Sequence, residues 1–223
     1  PQPAWRVDCV SRKEIDMHDP VYEEAYQGHI IKIYHDPDAE SPREWSNLGT
    51  LLCWHRRYRL GDSHQFGSPE AILRDLAGVS DQSDLSMEQL RDRAERKAIL
   101  LPVFLYDHSG LAMNTIGFHC PWDSGQVGYV YVTLAAVRKE FGVKRVTKSL
   151  REKAEDILRG EIVSYDAYLG GRVYGYVIDQ DGEEVEDCWG FVGDYETGCL
   201  PEAREAVPTP SPGQTRESAA AQA

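Results

Sequence analysis

A chain of 223 residues with 41% hydrophobic and 27% charged side chains can bury a sizeable core and has the composition of an ordinary globular protein. No run of about 18 apolar residues appears, so no membrane-spanning helix is expected, and the opening PQPAWRVDC lacks both Met and the charged-then-apolar pattern of a signal peptide. The net charge of −13 argues against direct nucleic-acid binding, since a phosphate backbone demands Lys and Arg; it suits a freely soluble protein or one that meets basic partners.

His29 to Tyr34 (HIIKIY) is short and β-branched, and reads as a strand bounded by Gly28 and Asp36-Pro37. Gly49 to Tyr58 (GTLLCWHRRY) reads as a second strand. Ser68-Pro69-Glu70 has the cap, the proline and the acid that open a helix, and Gly78 closes it. Ser86 to Gln89 is a capping box for a further helix to about Lys97. Ile99 to Tyr106 is an apolar strand in which Pro102 signals an edge or a bulge. Gly128 to Thr133 is a clearer strand, and Thr133 caps a short helix that ends at Gly142. A long helix is expected from Ser149 to Leu169, with Ser149 and Glu152 as its capping box. Arg172 to Ile178 and Val185 to Val192 flank Asp181-Gly182, the strongest hairpin signal in the chain.

The expected fold is α+β: a mixed or mostly antiparallel sheet of about six strands covered by about four helices, with a doubly wound parallel sheet as the alternative. Residues 1–205 are expected to form a single domain, and 206–223, rich in Pro, Ala, Ser, Thr and Gln, a disordered tail. Five cysteines, an odd number with no C-x-x-C spacing, argue against a disulfide framework or a structural zinc site and favour reduced thiols in a cytoplasm. No nucleotide-binding glycine loop occurs. No motif implies a cofactor or a bound metal.

Reactive residue types crowd into Tyr106 to Gly128 (YDHSGLAMNTIGFHCPWDSGQVG), which reads as an irregular loop between strands. The candidate catalytic residues are Asp107, His108, Cys120 and Asp123. A thiolate needs an imidazole to take its proton and a third group to hold that imidazole. His119 adjoins Cys120 and would point to the opposite face of an extended segment, so His108 is the better partner. The same residues with His119 include metal-ligating types, although their spacing matches no named motif.

Two binding surfaces are also expected. On a strand, His55, Arg57 and Arg59 would share one face, where arginines can hold phosphate or carboxylate. Asp62 and His64 would lie near that strand's end. Asp179 to Glu196 carries eight acids and no Lys or Arg. Placed on a hairpin, Asp181, Glu183, Glu184, Glu186 and Asp187 would form a negative strip able to imitate a nucleic-acid backbone towards a basic protein. Arg138 to Lys153, with seven basic and two acidic residues, is the only basic concentration.

The stretches SPREWSNLGTLLCWHRRYRLGD, LPVFLYDHSGLAMNTIGFHCPWDSGQVGYVYVT, VRKEFGVKR and VYGYVIDQDGEEVEDCWGFVGD resemble a family of uncharacterised proteins encoded by bacteriophages, plasmids and other mobile elements, over about residues 28 to 200. The resemblance implies a bacterial cytoplasm and an accessory role, such as opposing host defence. The expected function is therefore binding to a host protein, such as a basic nucleic-acid-binding defence nuclease or CRISPR complex. The alternative is a hydrolase of phosphodiester or amide bonds that uses the central segment.

Overall fold

The computed structural model describes residues 19–80 and 84–208. These contain eight strands and five α-helices in two compact units, a central one within 40–171 and a terminal one formed by 19–39 with 172–208. Every strand pairing is antiparallel, so the sheet arrangement is α+β and not doubly wound. The strands form two sheets of four. No helix among the described residues is long and apolar enough to cross a membrane.

The terminal unit holds β1 (Tyr22–Tyr26), β2 (His29–His35), β7 (Val173–Gln180) and β8 (Glu183–Val192) in the order β1-β2-β7-β8. Both of its hairpins turn on a residue pair at positive φ, Gln27-Gly28 and Asp181-Gly182, the geometry that matches strand twist. The sequence foresaw the second; the first was missed because Gln-Gly is a weaker signal. Ile31, Ile33, Tyr176 and Ile178 face α5 (Cys199–Ala206), whose Leu200 and Ala203 are buried against them. On the opposite face Tyr34, Val177 and Trp189 form a smaller cluster. Of the expected tail, Ala206 is the last residue of α5 and Val207 is buried; 209–223 lie outside the described residues.

The central unit holds β3 (Thr50–Cys53), β4 (Ala98–Asp107), β5 (Leu111–Asn114) and β6 (Ser124–Thr133) in the order β3-β6-β4-β5. Alternation along β4 divides its side chains between two layers. Ile99, Leu101, Val103 and Leu105 face α4 (Lys148–Leu169) and its Leu158 and Ile162. Ala98 and Leu100 face α1 (Pro69–Ala77) and α2 (Met87–Glu95). Ser68 caps α1, Gly78 closes it in the left-handed conformation, and the capping box of α2 is fully formed. Thr133 caps α3 (Leu134–Glu140). Pro102 has a neighbour on one side only, because β5 pairs with Phe104–Asp107 alone, and the register slips between Val103 and Phe104.

Three expectations are corrected. There are two sheets with eight strands in place of one with six. The cap of α4 is Thr147, whose hydroxyl accepts from the Leu150 N–H at 3.2 Å, and not Ser149. The second strand stops at Cys53, where the chain turns away after the Trp54 N–H bonds to the Val127 carbonyl. His55, Arg57 and Arg59 therefore share no strand face.

Candidate functional site

The central segment is more ordered than an irregular loop. β4 runs to Asp107, Ser109 and Gly110 turn at positive φ, and β5 returns. The side chain of Asn114 then shapes the next turn, accepting from the Ile116 and Gly117 N–H groups at 3.0 and 2.7 Å. β6 begins at Ser124, opposite Tyr106. This register sets the two acids side by side, and the Asp107 N–H donates to the Asp123 carbonyl at 2.9 Å.

The structure brings the side chains of three of the four candidate catalytic residues together, His108, Cys120 and Asp123. The Asp123 carboxylate accepts from the Cys120 thiol at 3.4 Å and lies 3.5 Å from His108 Nδ1. The carboxylate thus stands between imidazole and thiol, whereas base activation of a thiol calls for the imidazole between the two. Asp107 faces the other way. Its carboxylate pairs with Arg57 and accepts from the Tyr58 hydroxyl at 3.3 Å. His119 is exposed and joins none of these bonds. Among the described residues, no group of three or more His, Cys, Asp or Glu is placed to hold a metal ion.

The turn after β3 supplies the neighbouring surface. His55 Nδ1 accepts from the Arg57 and Tyr58 N–H groups, and its ring stacks on Tyr58 with centroids 5.0 Å apart. Arg57 lies over the same tyrosine at 5.4 Å. Arg57 thus joins the central segment, His55 does so through Tyr58, and Arg59 is exposed without contact to it. Asp62 and His64 do lie against β3: Asp62 accepts from the Leu51 N–H and His64 bonds to the Cys53 carbonyl.

Two features escaped the sequence reading. At the tip of the segment Trp122 is 91% and Ile116 84% exposed, although hydrogen bonds fix the backbone around both. Trp122 follows Pro121 in a turn, so no strand or helix periodicity reveals which way it points. Behind β3 lies a buried ionic cluster. Arg43 grips both oxygens of Asp62 at 2.8 Å and reaches Glu161 at 3.3 Å; Glu161 also accepts from the Leu48 and Gly49 N–H groups. Burial opposes the Arg43 charge, but Asp62 and Glu161 outweigh it and hold the guanidinium above its ordinary value. Burial pushes the Glu161 carboxyl up against the pull of those donors. The cluster fastens the 41–49 segment to α4, with Arg43 and Glu161 buried and Asp62 partly exposed. Glu161 sits at helical spacing from Leu158 and Tyr165, so a buried acid was the available signal.

Asp181, Glu183, Glu184 and Glu186 are exposed on the β7–β8 hairpin, as expected. Asp187 is buried and accepts from the Trp189 indole at 2.8 Å, so it serves packing. Burial first, then the charges of Asp187 and Asp179, push the Glu184 carboxyl up. Among the described residues, Cys53, Cys120 and Cys199 are free thiols, whereas Cys188 is disulfide-bonded, which departs from the expectation of reduced thiols. Comparison with protein-family models, curated proteins and solved structures finds no match.

Proposed function

We propose that this is a binding protein of a mobile genetic element, acting in the bacterial cytoplasm by docking onto a host protein and opposing host defence. The observation that carries the docking is the tip of the central segment, where Trp122 and Ile116 stand in solvent on a hydrogen-bonded turn. Large apolar side chains held outward by a fixed backbone lose little entropy on association and dominate interface energies. Arg57 and Tyr58, joined to Asp107 in the same segment, are residue types suited to an interface. The mobile-element part rests on the sequence resemblance alone. The acidic hairpin offers a second surface, suited to a basic, nucleic-acid-binding partner.

The second reading, a hydrolase, draws on the clustering of His108, Cys120 and Asp123. One experiment separates the two. Bacteria carrying a defence system are challenged while expressing either Trp122→Ala with Ile116→Ser, or His108→Ala with Cys120→Ala and Asp123→Asn. The docking reading expects the first variant to lose protection of the invader and the second to keep it. The reverse pattern would establish the hydrolase and sink the docking reading. Charge reversal at Asp181, Glu183, Glu184 and Glu186 tests the hairpin: undiminished protection removes it from the interface.

A further inference from the structure

A groove of about 490 Å³ in the central unit lies where the end of α1, the α2–β4 junction and α3 meet. It is lined by Arg96, Lys97 and Arg138, with Asp75 as its one carboxylate. The fold builds this convergence. The Leu134 N–H donates to the Lys97 carbonyl at 2.8 Å, which sets α3 against the α2–β4 junction. The Lys97 ammonium donates to the Ala77 carbonyl at 2.7 Å, which draws it across the end of α1.

Cations gather at helix C-termini because the last carbonyls lack donors. Here those acceptors are already served by other groups. Ala77 has the Lys97 ammonium, Ala94 has the Lys97 N–H, and Glu95 has Arg151. Among the described residues, the side chain of neither Arg96 nor Arg138 makes a hydrogen bond or an ion pair. Two exposed arginines whose side chains lack acceptors among the described residues therefore line one open groove, beside the Lys97 ammonium, in a chain of net charge −13. With Asp75 set against the three cations, the lining keeps an excess of two positive charges.

We infer that this groove binds the phosphate group of a small molecule. Guanidinium forks match phosphate oxygens two at a time, and the volume suits a phosphate with a small organic body. The site is independent of the docking surface.

Isothermal titration calorimetry at low ionic strength would use inorganic phosphate and ribose 5-phosphate as probes. Both arms share the phosphate chemistry. Equal affinity identifies free phosphate as the ligand, and tighter ribose 5-phosphate identifies phosphate on an organic body. Arg96→Ala with Arg138→Ala is expected to weaken binding tenfold or more. Arg93→Ala with Lys144→Ala removes the same charge from other exposed positions and is expected to change it less than threefold. Arg96→Lys with Arg138→Lys keeps the charge and the fold and is expected to recover part of the affinity. Absence of binding by either probe at millimolar concentration, or an equal loss in the two alanine pairs, would overturn the inference.

Discussion

The two units differ in how they handle charge. The central unit, 40–171, has 17 basic and 18 acidic residues and covers its sheet with helices on both faces. The terminal portions carry 7 basic and 19 acidic residues, and their sheet has the single helix α5 on one face. Nearly all of the chain's negative charge therefore belongs to the terminal unit. In the central unit, opposite charges nearly balance in number, and some are paired and buried, as at Arg43, Asp62 and Glu161. In the terminal unit, acids crowd one exposed hairpin, and burial, then the charges of Asp187 and Asp179, raise the Glu184 carboxyl. Buried matched ions hold a structure in one arrangement. An exposed unmatched strip lowers its energy only when a cation or a basic surface arrives.

The largest test of this contrast is Glu161→Ala. It leaves Arg43 without one of its carboxylates and strips the Leu48 and Gly49 N–H groups of their acceptor. Breaking one member of a buried ionic cluster costs about 3–5 kcal/mol. Amide hydrogen exchange followed by mass spectrometry should show protection lost across 40–171 and retained in β2 and β7. Equal loss in both would show that the two units unfold as one. Next come the close glycines, one in each sheet. A Cβ at Gly128 would lie 1.9 Å from the Leu52 carbonyl oxygen, and at Gly175 2.2 Å from the Trp189 ring. Backbone cannot step aside without parting β3 from β6, so Gly128→Ala should cost about 3 kcal/mol or more. At Gly175 the nearest backbone atom, the Cys188 carbonyl oxygen, stands farther off at 2.9 Å, so Gly175→Ala should cost less, about 1–3 kcal/mol. Urea denaturation of the two variants would check the order.

Elements with local signals were legible. α1 and α2 announce themselves through caps and apolar spacing, and β7–β8 through Asp181-Gly182. What failed was non-local. Splitting the strands into two sheets depends on β2 pairing with β7 across about 140 residues, which no local pattern records. β5 has only four residues and was absorbed into a presumed loop. Within the candidate site, His108, Cys120 and Asp123 lie within sixteen residues of one another in sequence, but their meeting depends on the β4–β6 register, which brings the β4–β5 turn to the connection before β6. The role of the carboxylate was not legible, because register and side-chain direction decide it. The cap of α4 shows a local ambiguity: Thr147 and Ser149 both precede apolar spacing, and the chain uses the earlier. Thr147→Ala should therefore cost about 1 kcal/mol, and Ser149→Ala only a few tenths. Equal effects on thermal melting would mean that the helix end shifts between the two.

The smallest effects carry the contrast in their sign. Glu24 joins β1 to α5 by accepting from Arg204, and that bond, against burial, holds its carboxyl below the usual range. Its contribution is present above the unfolded-state value and is lost as the pH falls through the folded one. Glu24→Gln should therefore lower the melting temperature at pH 7, and the difference from wild type should shrink as the pH falls. Glu184 runs the opposite way. Its carboxyl is raised, so ionisation opposes folding and stability falls as the pH rises through the folded value. Glu184→Gln should raise stability at pH 7 by a few tenths of a kcal/mol, an increment that vanishes below pH about 4 and shrinks in high salt. A Glu184→Gln variant that loses stability at pH 7 would mean that the strip is matched within the terminal unit, and the case for a basic partner at this hairpin would go with it.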